Sequence, residues 1–179
     1  MSRLSSADPF DLARFVTAQQ TSFDRALAEV KSGYKSSHWM WYIFPQLRGL
    51  GRSTISQRYG ISGTEEAHAY LTHEVLGPRL LTISEALLSV KGRSAIEIFG
   101  EPDHMKLRSC ATLFAHTALL PTTAHRTGVT PPATGQLPIT DPSPKSCPPG
   151  TDSVFQQIID RYFDGQIDRR TIQRLNDRP

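Results

Sequence analysis

Cysteine is scarce in this chain, and long apolar runs are missing. Only two of the 179 residues are cysteines, Cys110 in a helical pattern and Cys147 in a proline-rich stretch. So small and dispersed a set excludes a disulfide framework and a cysteine zinc site. No apolar run approaches the roughly 20 residues of a membrane-spanning helix, and residues 1–10 lack the apolar core of a secretory signal. We therefore expect a soluble cytoplasmic protein without a membrane role, with the nucleus left open.

The sequence motifs of the common enzyme classes are missing as well. The chain has no glycine-rich phosphate or dinucleotide loop, no His-Glu-x-x-His, no Gly-x-Ser-x-Gly and no EF-hand loop. No two of its six histidines have the i, i+4 spacing with a supporting carboxylate that a metal centre needs. We expect no metal and no cofactor, and the sequence leaves open whether the protein is an enzyme.

Charge gives a weak indication of the kind of partner. Lysine and arginine outnumber aspartate and glutamate by 20 to 17, for a formal net charge of +3 at pH 7. This excess favours anionic partners. The basic residues are spread along the chain instead of clustering, so nucleic acid is not favoured.

Helical periodicity recurs along the chain, whereas strand alternation is nearly absent. Phe23, Ala26, Leu27 and Val30 follow the i, i+3, i+4, i+7 template, and Gly33 is placed to end that helix. The size suits one domain, over 8–176. We predict an all-α orthogonal bundle of about six to eight short helices.

Several helix boundaries follow from local signals. Asp8-Pro9 is a typical helix opening, and a helix that begins at Ser36 or Ser37 must stop before Pro45. Ser94-Ala95-Ile96-Glu97 matches the capping-box pattern of a short helix. Pro102 opens a longer helix, and Asp168 is placed to cap a last short turn.

A proline-rich segment interrupts the helical pattern over 120–151. It holds prolines at 121, 131, 132, 138, 142, 144, 148 and 149 and almost no aliphatic periodicity. Such a composition buries too little apolar surface to offset its ordering entropy, so we expect a mobile loop insertion. Its Pro-x-x-Pro-like spacing is also typical of segments that dock a protein partner.

Two groups of side chains suit ligand binding. In the first, Lys35, Ser37 and His38 stand beside Trp39, where helix N–H groups and hydroxyls form an anion cradle with an indole as stacking wall. In the alternative reading, Ser37 only caps the helix, His38 satisfies a buried carbonyl and the tryptophans Trp39 and Trp41 fill the core.

The second group lies on the predicted helix after Pro102. Asp103, Lys106, Ser109 and Thr112 recur every three residues and form one polar strip, a candidate lining for a cleft. The alternative is an exposed face with an Asp103–Lys106 ion pair worth tenths of a kcal/mol.

Three polar residues between these two groups add to the candidate site. Arg52 and Arg58 add positive charge, and Gln46 offers both a donor and an acceptor. As a general acid or base, His38 is the one candidate, although no carboxylate is indicated that would orient it.

Four ordered strings resemble the uncharacterised domain family DUF1810. They are Ser37-His38-Trp39-Met40-Trp41-Tyr42-Ile43-Phe44-Pro45-Gln46-Leu47, Leu76-Gly77-Pro78-Arg79-Leu80, Ile98-Phe99-Gly100 with Pro102-Asp103 and Lys106-Leu107-Arg108-Ser109, and Tyr162-Phe163-Asp164-Gly165. The resemblance covers Asp11 to Leu175 and implies a compact, mainly helical domain of unknown biochemical role. The label calpastatin-like, sometimes given to this family, describes an unstructured inhibitor and does not fit the helical pattern.

The family's characteristic polar and aromatic residues fall within both groups. Their positions here are His38, Trp39, Trp41, Pro45, Gln46, Asp103, Lys106 and Ser109. Similar proteins pass almost directly from the helix of Leu113 and Phe114 to the last long helix, whereas this chain inserts the proline-rich segment after Thr117.

The leading hypothesis is a domain that binds a small anionic ligand, nucleotide-like or phosphorylated. Lys35, Ser37, His38, Lys106 and Arg58 would meet the anion and Trp39 would stack on a ring; Gln46, Asp103 and Ser109 complete the predicted site. The alternatives are a non-catalytic interaction module that uses exposed rings and the proline-rich loop, and an undescribed hydrolase or transferase that uses His38.

Overall fold

The predicted all-α class is confirmed. The structure is a computed structural model, and it describes residues 8–120 and 150–177. Within these ranges the chain forms ten helices: α1 Ala13–Gln20, α2 Phe23–Ser32, α3 Met40–Ile43, α4 Thr54–Arg58, α5 Thr64–Thr72, α6 Leu76–Ser89, α7 Ala95–Phe99, α8 Asp103–Leu119, α9 Thr151–Phe163 and α10 Arg169–Asn176. The number exceeds the predicted six to eight because α3, α4 and α7 are single turns of four or five residues.

The β-type backbone pairing in the described ranges consists of one isolated parallel bridge between Leu47 and Ile61. No helix in these ranges is long and apolar enough to cross a membrane. The proline-rich insertion predicted for 120–151 lies, apart from its end residues, outside the described part of the chain.

Helix α8 is the centre of the core. It packs against α5, α7, α9 and α10. The Phe114 ring stacks on Phe155 of α9 at 5.5 Å between centroids and lies 5.5 Å from the Tyr70 ring of α5. The buried stripe predicted after Pro102, which includes Leu107 and Cys110, faces this core.

The aromatic segment enters the core with a shorter helix than predicted. Helix α3 begins at Met40 instead of Ser36 or Ser37, because the backbone N–H groups of both serines bind a side chain of α2. Trp39 is 1% exposed, and its ring lies 6.2 Å from that of Phe99.

The first helix also begins later than its sequence signal. Asp8 accepts hydrogen bonds from the backbone of Leu12 at 2.8 Å and Ala13 at 2.9 Å, but the N-cap of α1 is Leu12 and the helix opening predicted at Asp8-Pro9 is wrong. The residues after Pro9 form a turn, in which Asp11 has φ of 51°, and α1 starts at Ala13. By contrast, the capping box of Ser94 and Glu97 forms as predicted at the start of α7.

The junction of α5 and α6 tests how tightly the bundle is packed. A Cβ atom at Gly77 would lie 2.0 Å from the backbone oxygen of Leu71, a contact that a backbone shift alone relieves. We expect Gly77→Ala to lower the free energy of unfolding by about 3 kcal/mol or more, at the upper end of overpacking costs.

Urea unfolding followed by circular dichroism measures this change. Gly92→Ala is the matched control, since nothing lies within 4 Å of a Cβ there although φ is 70°; it should cost only about 1–2 kcal/mol. An equal loss in both variants would contradict the tight α5–α6 contact.

Candidate functional site

Donors of the segment predicted as an anion cradle bind a carboxylate of the same chain. Glu29 of α2 accepts hydrogen bonds from Ser36 N at 2.9 Å, Ser37 N at 3.1 Å, Ser37 Oγ at 2.6 Å and Trp39 Nε1 at 2.8 Å. We call these three donor residues and Glu29 the Glu29 cradle. Its donors are therefore engaged, and Trp39 lies in the core instead of lining an open pocket.

These hydrogen bonds decide the charge state of Glu29. Burial by itself raises the pKa of the carboxyl, but the bonds from Ser37, Ser36 and Trp39 outweigh it and lower the pKa from 4.5 to about 2. The cradle therefore holds a full negative charge at neutral pH, as an anion site would.

The two lysines of the predicted site meet at Asp103. Lys35 Nζ and Lys106 Nζ each lie 2.7 Å from a different oxygen of this carboxylate. Burial raises the pKa of Asp103, but the two ammonium groups outweigh that effect and hold it below its usual range. Lys106 also lies 4.4 Å from the ring centroid of Trp41, and Lys35 5.2 Å from that of Trp39.

The polar strip divides after Lys106. Ser109 Oγ donates to Asp168 Oδ2 at 2.7 Å, and Asp168 N donates to Thr112 Oγ1 at 2.9 Å. Thr171 Oγ1 donates to the same carboxylate at 2.7 Å. This part of the strip is partly buried, as its small hydroxyls suggested, and it faces the start of α10. Ser109 thus anchors a helix and contacts neither lysine.

His38 and Gln46 lie apart from these ion pairs. His38 is exposed, and within the described residues its ring makes no hydrogen bond, so no carboxylate orients it. Gln46 is 8% exposed, and its amide nitrogen lies beside Gly51, 3.4 Å from the position of a Cβ there.

Arg58 lines a different concave surface, which we call the arginine depression. This open depression of about 670 Å³ lies where the turn before α1 meets the segment around α4. Its lining residues are Pro9, Phe10, Asp11, Arg14, Arg48, Thr54, Gln57, Arg58, Ser62 and Glu66. The other eight predicted site residues are not among them, so the structure brings Lys35, Asp103 and Lys106 together and places Arg58 elsewhere.

The floor of the depression is a buried ion pair that sequence patterns did not reveal. Arg14 and Glu66 form a salt bridge with side chains 7% and 2% exposed. The guanidinium of Arg14 also donates to four backbone carbonyls, those of Phe10, Asp11, Arg58 and Gly60. Glu66 in turn accepts from Ser62 N at 2.7 Å.

Two arginines at the wall of the depression differ from Arg14. Arg48 and Arg58 are exposed, and neither side chain forms a salt bridge within the described ranges. The backbone of Arg48 is fixed by the bridge, where its N donates to Ile61 O at 2.8 Å. The Arg58 carbonyl accepts from Arg14 Nε at 2.9 Å, and its guanidinium lies 5.6 Å from the Tyr59 ring centroid.

No sequence signal marks Glu29 as part of the cradle. Glu29 precedes Val30 on the half-exposed side of α2 and follows no motif, so only the three-dimensional path of residues 34–39 brings it to the cradle.

In the described ranges no group of three His, Cys, Asp or Glu side chains could hold a metal ion.

Replacing Glu29 tests the cradle. Because its folded pKa of about 2 lies below the ordinary 4.5, the ionised carboxylate stabilises the fold above about pH 4.5, and this contribution is lost as pH falls towards 2. We expect Glu29→Gln to unfold at lower urea concentration at pH 7 and the difference from wild type to shrink across that window.

The exposed Glu74 provides the control, since it accepts no hydrogen bond within the described residues. Glu74→Gln should change the free energy of unfolding by less than about 0.5 kcal/mol. If the Glu29→Gln difference were constant from pH 7 to pH 2, ionisation of the cradle would not contribute to stability.

Comparisons with known proteins place the chain among proteins without an assigned role. The chain is 40% identical to the conserved hypothetical protein Rv1873 from Mycobacterium tuberculosis, whose crystal structure aligns with a TM-score of 0.76 over 96% of this chain and all of that one. A comparison with curated proteins found no match. The model of a family described as a protein of unknown function, DUF1810, matches residues 9–127. The chain therefore belongs to the DUF1810 family.

Proposed function

We propose that the protein binds a small anionic ligand, phosphorylated or nucleotide-like, in the arginine depression. The observation that carries this proposal is a contrast between two pairs of basic side chains in the protein. Lys35 and Lys106 share the carboxylate of Asp103, whereas Arg48 and Arg58 line a concave surface without a carboxylate partner among the described residues.

The chemistry of the lining suits an anion with a small organic part. Guanidinium groups bind phosphate or carboxylate through paired, charge-assisted hydrogen bonds. Thr54, Gln57 and Ser62 add polar side chains, while Pro9 and Phe10 add apolar surface. The volume of about 670 Å³ lies within the range of small-molecule sites.

The charges of the lining favour an anion by a small margin. Three arginines and two carboxylates line the depression, which leaves a formal charge of +1. Arg14 and Glu66 cancel each other in the floor, so the balance is set by Arg48 and Arg58 against Asp11. A ligand with one or two negative charges complements this arrangement.

The test is calorimetric titration and thermal shift with inorganic phosphate, adenosine 5′-monophosphate and adenosine 5′-diphosphate. A ligand at 100 times its Kd stabilises the folded state by about 2.7 kcal/mol, which raises Tm by several degrees. We expect the double variant Arg48→Gln/Arg58→Gln to lose this shift, because glutamine can still form hydrogen bonds but carries no positive charge.

Arg52→Gln is the matched control, since Arg52 is an exposed arginine of the same segment that does not line the depression. It should bind each probe within about twofold of wild type. Equal losses in the double variant and Arg52→Gln would indicate nonspecific attraction, and no shift with any probe would refute the proposal.

The lysine pair is a second candidate site for the same kind of ligand. Two ammonium groups share one carboxylate there, which leaves an excess charge of +1 beside the half-exposed Trp41. Here Lys35 and Lys106 would keep their predicted roles. The two sites separate in the titration, because Lys106→Gln would then abolish binding and the arginine variant would not.

The two remaining hypotheses lack such support. His38 is exposed and has no orienting partner among the described residues, so it offers no acid–base pair there on which to build a hydrolase or transferase. An interaction module would use the proline-rich loop, most of which lies outside the described residues. A pull-down with the loop deleted addresses that hypothesis separately.

A further inference from the structure

We infer that the ligand of the arginine depression carries a chain of phosphates, and that Arg174 of α10 binds the far end of that chain. This inference rests on the proposed function, because it extends the same site across the loop that bounds it. The loop contains Arg48, Gly49 and Leu50.

Gly49 brings the last helix onto this loop. A Cβ atom at this position would lie 2.8 Å from Nη1 and 3.2 Å from Cζ of Arg174. The guanidinium therefore lies directly on the Gly49 backbone. With φ of 90°, Gly49 has a conformation that side-chain-bearing residues rarely adopt, so the backbone itself favours glycine here.

Arg174 is an exposed residue on an anchored helix, and its side chain has no hydrogen-bonding role among the described residues. Helix α10 is anchored through Asp168, which binds Ser109 and Thr171. The Arg174 side chain, by contrast, makes no hydrogen bond or salt bridge within the described ranges. An arginine held against backbone keeps its five N–H donors for another acceptor.

Arg174 continues the row of charges that begins in the depression. Arg48 lines the depression and precedes Gly49 directly, with neighbouring Cα atoms about 3.8 Å apart. The nearby acids offset this charge only in part: Glu66 pairs with Arg14, Asp11 offsets one charge of the depression, and within the described residues Asp177 on α10 forms no salt bridge with Arg174.

The position of Arg174, against the loop but outside the lining of the depression, favours an extended anion over a compact one. A single phosphate placed between Arg48 and Arg58 would occupy the depression and leave Arg174, which does not line it, without a contact. A chain of phosphates continues from the same position towards Arg174 and adds a further charge-assisted contact. The ligand class is therefore an oligophosphate, either free or as the tail of a nucleotide.

Calorimetric titration of the whole chain with orthophosphate, pyrophosphate and tripolyphosphate at 0.15 M salt tests this inference. We expect wild-type affinity to rise with chain length. Arg174→Gln should leave orthophosphate affinity within twofold and weaken tripolyphosphate about tenfold, the effect of one charge-assisted hydrogen-bonded contact.

Arg170→Gln removes the same charge from an exposed site on the same helix and should change both affinities by less than twofold, because salt screens distant charges. ATP in place of tripolyphosphate distinguishes the source of the chain: tighter binding of ATP assigns a nucleotide, and equal binding assigns the phosphates alone.

Two results would overturn the inference while orthophosphate binding through Arg58 still supports the proposed function. One is a tripolyphosphate affinity no higher than that of orthophosphate. The other is an equal loss in Arg174→Gln and Arg170→Gln. Failure of the wild-type protein to bind any of these phosphates would instead refute the proposed function.

Discussion

The buried guanidinium of Arg14 is the interaction on which this end of the molecule depends. It joins three separate pieces of chain, the turn before α1, the end of α4 and the start of α5, through four carbonyls and Glu66. A buried charge is stable only when it is paired and its donors are satisfied, and Arg14 meets both conditions. The walls of the arginine depression, including Arg58, are thereby fixed before any ligand binds.

Internal carboxylates explain why positive charge alone does not locate a site here. The Glu29 cradle has the hydroxyl and N–H donors of an anion site, and it holds an anion of its own chain. Lys35 and Lys106 similarly hold Asp103. In both places a ligand would compete with a carboxylate tethered at high effective concentration, whereas Arg48 and Arg58 present no such competitor within the described part of the chain.

The parts of the fold that depend on local sequence could be predicted, and the long-range polar pairs could not. The stripe of α2, the capping box at Ser94 and the cap at Asp168 involve residues within a few positions of one another. Arg14 and Glu66 are 52 positions apart, and Ser109 and Asp168 are 59 apart. No periodicity links such pairs, because their meeting depends on how the helices pack.

The predicted site shows the same division. The Asp103–Lys106 contact follows from i, i+3 spacing and is present at 2.7 Å, but Lys35 reaches that carboxylate from another element. The sequence was compatible with Trp39 either as a pocket wall or as a core residue, and its burial places it in the core. The residue types of an anion site were thus readable, while the question of which cations remain available is one of tertiary structure. An arginine beside a concave surface is available to an anionic ligand only if no carboxylate of the same chain already pairs with it. Within the described residues, Arg48, Arg58 and Arg174 form no such salt bridge.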